Sequence, residues 1–75
     1  MLAYVVNKTV FYNKIGINNC IGVFTNYNKA KNKVNELVNI ELENNYIIDD
    51  DSTYITELSN KNESIVIKID LVEVE

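Results

Sequence analysis

The chain has 75 residues with seven lysines, eleven acids, no histidine and a single cysteine, and its net charge is −4. That length makes one small domain over residues 1–75, with only a modest share of its surface to bury. With Cys20 alone and no histidine, an intrachain disulfide, a structural zinc set and Ser-His-Asp or Cys-His catalysis are all excluded.

Residues 2–8 (LAYVVNK) are apolar and rich in β-formers and predict the first strand. Residues 9–19 carry Asn13, Gly16, Asn18 and Asn19 and read as a hairpin connection, with strand extension at Val10, Phe11 and Tyr12 as an option. Residues 20–25 (CIGVFT) predict the second strand, where Gly22 marks a bulge or a close approach by a helix. Residues 25–45 are the only stretch with a sustained helical period: Tyr27, Ala30, Val34, Leu37 and Val38 share one face. Thr25 or Asn26 supplies the N-cap, and Asn44-Asn45 the stop. Glu41 falls in phase with the apolar stripe and Ile40 falls outside it. Either the helix frays near residues 39–42, or Glu41 is partly buried and paired with a lysine.

Beyond the helix, Tyr46, Ile47 and Ile48 form an apolar clip, and Asp49, Asp50, Asp51 and Ser52 an acidic loop. Residues 54–58 (YITEL) alternate as the third strand, residues 59–63 turn, and residues 64–74 (SIVIKIDLVEV) form a long last strand. In that last strand the apolar phase switches after Leu71, with Val72 and Val74 apolar and Glu73 and Glu75 not, which predicts a bulge or an exit from the core. The expected fold is α+β: a four-stranded, mainly antiparallel sheet with one helix on one face, in the order ββαββ. Ala3, Val5, Ile21, Val23, Ile55, Ile65, Ile67 and Ile69 are assigned to the helix-covered face. Leu2, Tyr4, Val6, Phe24, Tyr54 and Leu58 then form a second apolar face, interrupted by Lys68 and Asp70. Such a face marks an interface, unless Phe11, Tyr12 and the 46–48 clip fold over it. A homodimer that buries Leu2, Tyr4, Val6, Phe24 and Tyr54 about a two-fold axis is the expected arrangement, and edge-to-edge pairing of the long last strand is a second route unless Lys68 and Asp70 block it.

Charge is unevenly spread. Residues 1–35 hold five lysines and no acid, while residues 36–75 hold eleven acids and two lysines. Lys29, Lys31 and Lys33 sit in the first turns of the helix and Glu36, Glu41 and Glu43 later, the reverse of what the helix dipole favours. The lysines are either kept for a partner or offset by carboxylates of the second half. Asp49, Asp50 and Asp51 lack the spaced ligands and glycine of a calcium loop and read as a solvated turn. The carboxylate pairs Glu41/Glu43 and Glu73/Glu75 lie near expected element ends and carry no general acid–base signature. No enzyme activity, cofactor or metal is expected. The N-terminal stretch reads as neither a signal peptide nor a membrane span, so the expected location is the cytosol of the producing cell or host.

Tyr4, Val5 and Val6, then Gly22, Val23, Phe24 and Thr25, then Lys29, Ala30, Lys31 and Val34, form a pattern. It resembles a group of small uncharacterised domains of phages and large DNA viruses, in which a G-V-[FY]-[ST] strand end opens a helix with a K-A-K-like turn. The resemblance covers under half the chain, which departs from it in a longer acidic tail. It implies a viral or mobile-element origin and a hairpin–helix–hairpin layout, and no reaction.

Two functions are weighed. One is a non-enzymatic protein-binding module acting as inhibitor or assembly factor. An anti-defence role is one instance, the acids of the second half imitating phosphates toward a basic target. Its candidate partner-binding residues are Tyr4, Phe24, Tyr54, Lys29, Lys31, Lys33, Asp49, Asp50 and Asp51. The alternative is a nucleic-acid-associated module using Lys8, Lys14, Lys29, Lys31 and Lys33. The net acidity makes nucleic acid the weaker partner.

Overall fold

The computed structural model describes residues 1–74. Its strands are β1 (Leu2–Tyr12), β2 (Ile15–Phe24), β3 (Ile47–Asp51), β4 (Ile55–Ser59) and β5 (Glu63–Glu73), and one helix, α1 (Tyr27–Glu43), lies between β2 and β3. The class is α+β as expected, but the sheet has five antiparallel strands, in the order β2-β1-β5-β4-β3. The additional strand is β3. The residues read as an apolar clip and an acidic loop pair with β4 from Ile47↔Ser59 to Asp51↔Thr56. Three consecutive aspartates mask a strand in the sequence, because aspartate is depleted in strands generally. Here they sit at an outer edge, where their side chains stay in water.

The first hairpin is also tighter than its sequence predicts. β1 and β2 run on until only Asn13 and Lys14 separate them, both with positive φ (47° and 72°). Two left-handed residues make the primed turn that suits the twist of a hairpin. Asparagine tolerates that conformation, whereas lysine gives little sign of it in a sequence. Gly16 is in the strand itself. The Phe11 ring from the opposite strand lies over it, so a Cβ there would come within 2.8 Å of the ring.

Asn26 caps α1, its side chain accepting from the Lys29 amide at 2.9 Å. The helix does not fray at residues 39–42. It ends in a Schellman arrangement: Asn45 is left-handed (φ 68°), its amide donates to the Leu42 carbonyl, and the Tyr46 amide donates to the Glu41 carbonyl. Ala30, Val34, Val38 and Glu41 point into the sheet.

The core joins Val34 and Val38 of α1 to Val6, Leu58, Ile65, Ile67 and Ile69 of the sheet and to Tyr46. Register decides which parity faces α1. β1 pairs with β5 as Tyr4↔Leu71, Val6↔Ile69 and Lys8↔Ile67, and β4 pairs as Thr56↔Ile67 and Leu58↔Ile65. Directly paired residues share a face, so the even-numbered residues of β1 lie under the helix together with the odd-numbered isoleucines of β5. The assignment expected from the sequence is thus reversed for β1 and for β4, where Leu58 lies under the helix and Ile55 pairs with Lys68 on the open face. Val6 and Leu58 are fully buried, while Val23, expected in the core, is 64% exposed on the open face. The first strand is apolar at both parities from Leu2 to Val6, so it carries no alternation from which a face can be read.

β2 contains a bulge. The register passes from Val6↔Gly22 to Asn7↔Cys20, leaving Ile21 as the additional residue, and Ile21 packs against the core. β5 has none where its phase switches: its pairing with β1 is continuous to Leu2↔Glu73, and the strand leaves the core there. Glu75 lies outside the described residues.

Candidate functional site

Lys8 lies on the helix-covered face at the middle of the sheet, and its ammonium is 2.7 Å from Glu41 Oε1 of α1. Glu41 is therefore the buried, lysine-paired carboxylate that its place in the apolar stripe allowed. The pair is mostly withdrawn from solvent, with side chains 20% and 10% exposed. It binds the C-terminal half of α1 to β1. Each charge satisfies the other, so neither is free for a ligand.

The other helix lysines are divided. Lys31 approaches Asp51 at 3.5 Å, and Lys33 approaches Glu36 at 3.2 Å. Lys29 is exposed and has no ion pair among the described residues. Asp51 also accepts from the buried Thr56 hydroxyl at 3.0 Å, which ties the acidic strand to the core. Asp49 and Asp50 are exposed on β3.

The candidate residues do not form one patch. Tyr4, Tyr27 and Tyr54 make an aromatic row on the helix side, edge to face, with ring centroids 6.3 and 5.7 Å apart. Tyr4 is half-buried there rather than displayed on an uncovered face. Phe24, Lys29 and Lys33 come together with Asn32 and Glu36 around a shallow groove of about 340 Å³ between α1 and the end of β2. Asp49, Asp50 and Asp51 stand at the opposite edge of the sheet.

The face that α1 leaves open is mixed. Val5, Val23 and Val72 share it with Glu57 and Lys68, and Asn7 donates to Asp70 at 2.8 Å, as Thr9 does to Asn18. A second cleft, about 380 Å³, opens between the two hairpin turns and is lined by Tyr12, Asn13, Lys61, Asn62 and Glu63. Beside it the Tyr46 hydroxyl donates to Glu63 Oε2. That hydrogen bond, then burial, then the negative charges of Glu63 and Glu41 push the Tyr46 phenol up to about 12. At neutral pH it is a neutral donor holding the turn, not a base.

The two sheet edges differ most of all. β3 is five residues long, bulged between Ile48 and Asp50, and carries three aspartates. The short length and the charge keep other strands away, while the bulge is shared with β2, which has its own at Ile21. β2 is ten residues long and carries no charged side chain. Its outer backbone is unpaired, and Ile15 and Ile17 stand 66% and 52% exposed on the helix side, which α1 does not reach. Sequence reasoning missed this edge. Its signal is the interval from Lys14 to Lys29, the longest in the chain without a charge.

Among the described residues no group of three or more His, Cys, Asp or Glu side chains is placed to hold a metal ion. Nor, among the described residues, is any helix long and apolar enough to cross a membrane. Compared with protein-family models, with curated proteins and with solved structures, the chain matches none of them.

Proposed function

We propose that the chain is a non-enzymatic protein-binding module of viral or mobile-element type, an inhibitor or assembly factor that docks another polypeptide on the edge of β2. The asymmetry of the sheet edges carries this reading. Both edge strands are bulged, but one is short and carries the charges that deter strand addition, and the other is a long, uncharged, apolar-flanked strand that favours it. The groove beside α1 adds a second contact for side chains of the docked segment, and Phe24, Lys29 and Lys33 of the expected binding set line it. The pattern around Gly22 to Thr25 supports the viral or mobile-element origin.

The nucleic-acid alternative draws on Lys8, Lys14, Lys29, Lys31 and Lys33, and three of these already face carboxylates. Only Lys14 and Lys29 remain for phosphates, too few for strong backbone binding.

The test is capture from producing or infected cells with three baits: the native chain, Ile17→Lys on the β2 edge and Ile47→Lys on the β3 edge. A polypeptide retained by the native chain and by Ile47→Lys, and lost with Ile17→Lys, is the expected result. Equal retention by all three removes the edge from the account.

A further inference from the structure

We infer that the occupant of the β2 edge is a second copy of this chain, paired antiparallel about a two-fold axis, with Ile15 and Ile17 of each copy seated beside α1 of the other. This rests on the docking role proposed above and names its partner.

Charge is the first argument. Two β2 strands meet without opposing like charges, because neither carries any. Two β3 edges would set Asp49, Asp50 and Asp51 against the same three residues, which like-charge repulsion across strands disfavours. Self-pairing is therefore open to one edge and closed to the other.

Shape is the second. α1 packs beside only one half of β2, the half from Ile21 to Phe24, where the groove of about 340 Å³ lies. The other half carries Ile15 and Ile17 on the same side of the sheet with nothing over them. Antiparallel pairing about a two-fold axis reverses one strand against the other. Each bare half then runs alongside the helix-flanked half of its partner. Two isoleucines that are half to two-thirds exposed reach a groove that is lined but unfilled. The groove's helix side is made of Lys29, Asn32, Lys33 and Glu36, and Ile40, one turn beyond Glu36 and 51% exposed, adds an apolar side chain next to it.

Closure is the third. A two-fold contact uses the same strand from both copies and leaves no further β2 edge. The doubled sheet ends in β3 on both sides, so every remaining edge is the guarded one.

Sedimentation equilibrium across micromolar and higher concentrations, with hydrogen exchange of the β2 amides that do not bond to β1, tests this in the isolated protein. The expected result is a dimer with those amides protected. Ile17→Lys weakens it by about 100-fold or more while circular dichroism stays native, and Ile47→Lys leaves it intact. If Ile17→Lys loses the fold, Ile15→Lys, further from the core, carries the same reading. A monomer whose outer β2 amides exchange freely overturns the second-copy inference and leaves the docking proposal standing. A monomer with those amides protected overturns both, since the chain itself would then cover the edge. A dimer indifferent to both edge lysines, or association that grows without limit through β2–β3 contacts, overturns the two-fold pairing.

Discussion

Replacing Lys8 by methionine isolates what holds Glu41 inside the protein. At 2.7 Å the gross attraction between the two charges is about 6 kcal/mol for an effective dielectric of about 20. Most of that is offset by the cost of withdrawing both charges from water, so the net value of the pair is small. Removing one partner is different, because the desolvation of the other is then unopposed. Glu41 is 7% exposed on a rigid helix and cannot move out to solvent. Lys8→Met should therefore destabilise by about 2–3 kcal/mol, toward the low end for a broken buried pair because both side chains keep some contact with water. Glu41→Leu should cost less, about 1–2 kcal/mol, since the flexible stem of Lys8 can carry its ammonium to the surface. The double variant should lie within about 1 kcal/mol of the native chain, as apolar replacements of such pairs do. A domain of this length has roughly 4–11 kcal/mol in total, so each single change is a large share. Urea unfolding reads the series: with a slope of about 1 kcal/mol per molar, Lys8→Met moves the midpoint by about 2–3 M. If Lys8→Met falls within about 0.5 kcal/mol of native, or if the double variant costs the sum of the singles, the pair is not a buried coupled unit and the reasoning fails.

Val34 is 2% exposed at the centre of the α1 contact, so Val34→Ala should cost about 2 kcal/mol, while the exposed Asn35→Ala stays within about 0.5 kcal/mol of native; equal effects in thermal unfolding would contradict the helix orientation. Tyr46 keeps its proton in the folded state up to about 12, whereas a free phenol loses it near about 10. Its contribution is thus complete below about pH 10 and is lost as pH rises toward about 12, on the order of 2 kcal/mol. Tyr46→Phe should remove that alkaline slope, and an unchanged slope in urea midpoints would show that Tyr46 does not cause it. Double-stranded DNA should not be retained at physiological salt in a gel-shift assay; tight, salt-sensitive retention abolished by replacing Lys29, Lys31 and Lys33 would favour the nucleic-acid function.

What was legible in the sequence followed the strength of local periods. The helix was plain because Ala30, Val34 and Val38 keep a 3.6-residue stripe; its cap was narrowed to Thr25 or Asn26, and the structure selects Asn26. The anomaly at Glu41 was visible too, but its partner was not. Lys8 lies 33 positions earlier in the chain, and only the register of β1 on β5 carries it under the helix. β3 was lost because its aspartates suit an edge strand only once an edge exists. The parity of β1 was misassigned because both of its faces are apolar, so pairing with Ile67 and Ile69 decided what periodicity left undetermined. The candidate residues are aromatic or charged, whereas β2 carries no charge and its one aromatic, Phe24, is half-buried at the end of the strand. The β2 edge is marked by a missing charge, which a search for chemical groups passes over.

The middle of the sheet joins the two strands farthest apart in the chain, Leu2 meeting Glu73 at one end of the seam and Tyr12 meeting Glu63 at the other. The β1–β2 and β4–β5 hairpins form from near neighbours. The seam between them requires closing a loop of about 50 residues, an entropic cost of about 3.5 kcal/mol plus a constant before any contact across it is made. Such non-local pairing places folding toward the slow end for a chain this small. During synthesis β1 waits with one side unpaired until residues 63–73 have emerged. For that interval the nascent chain shows a second bare strand beside β2, and a neighbouring copy competes with β5 for it. Substitutions that weaken β5 should therefore lower the yield of folded protein more than its equilibrium stability.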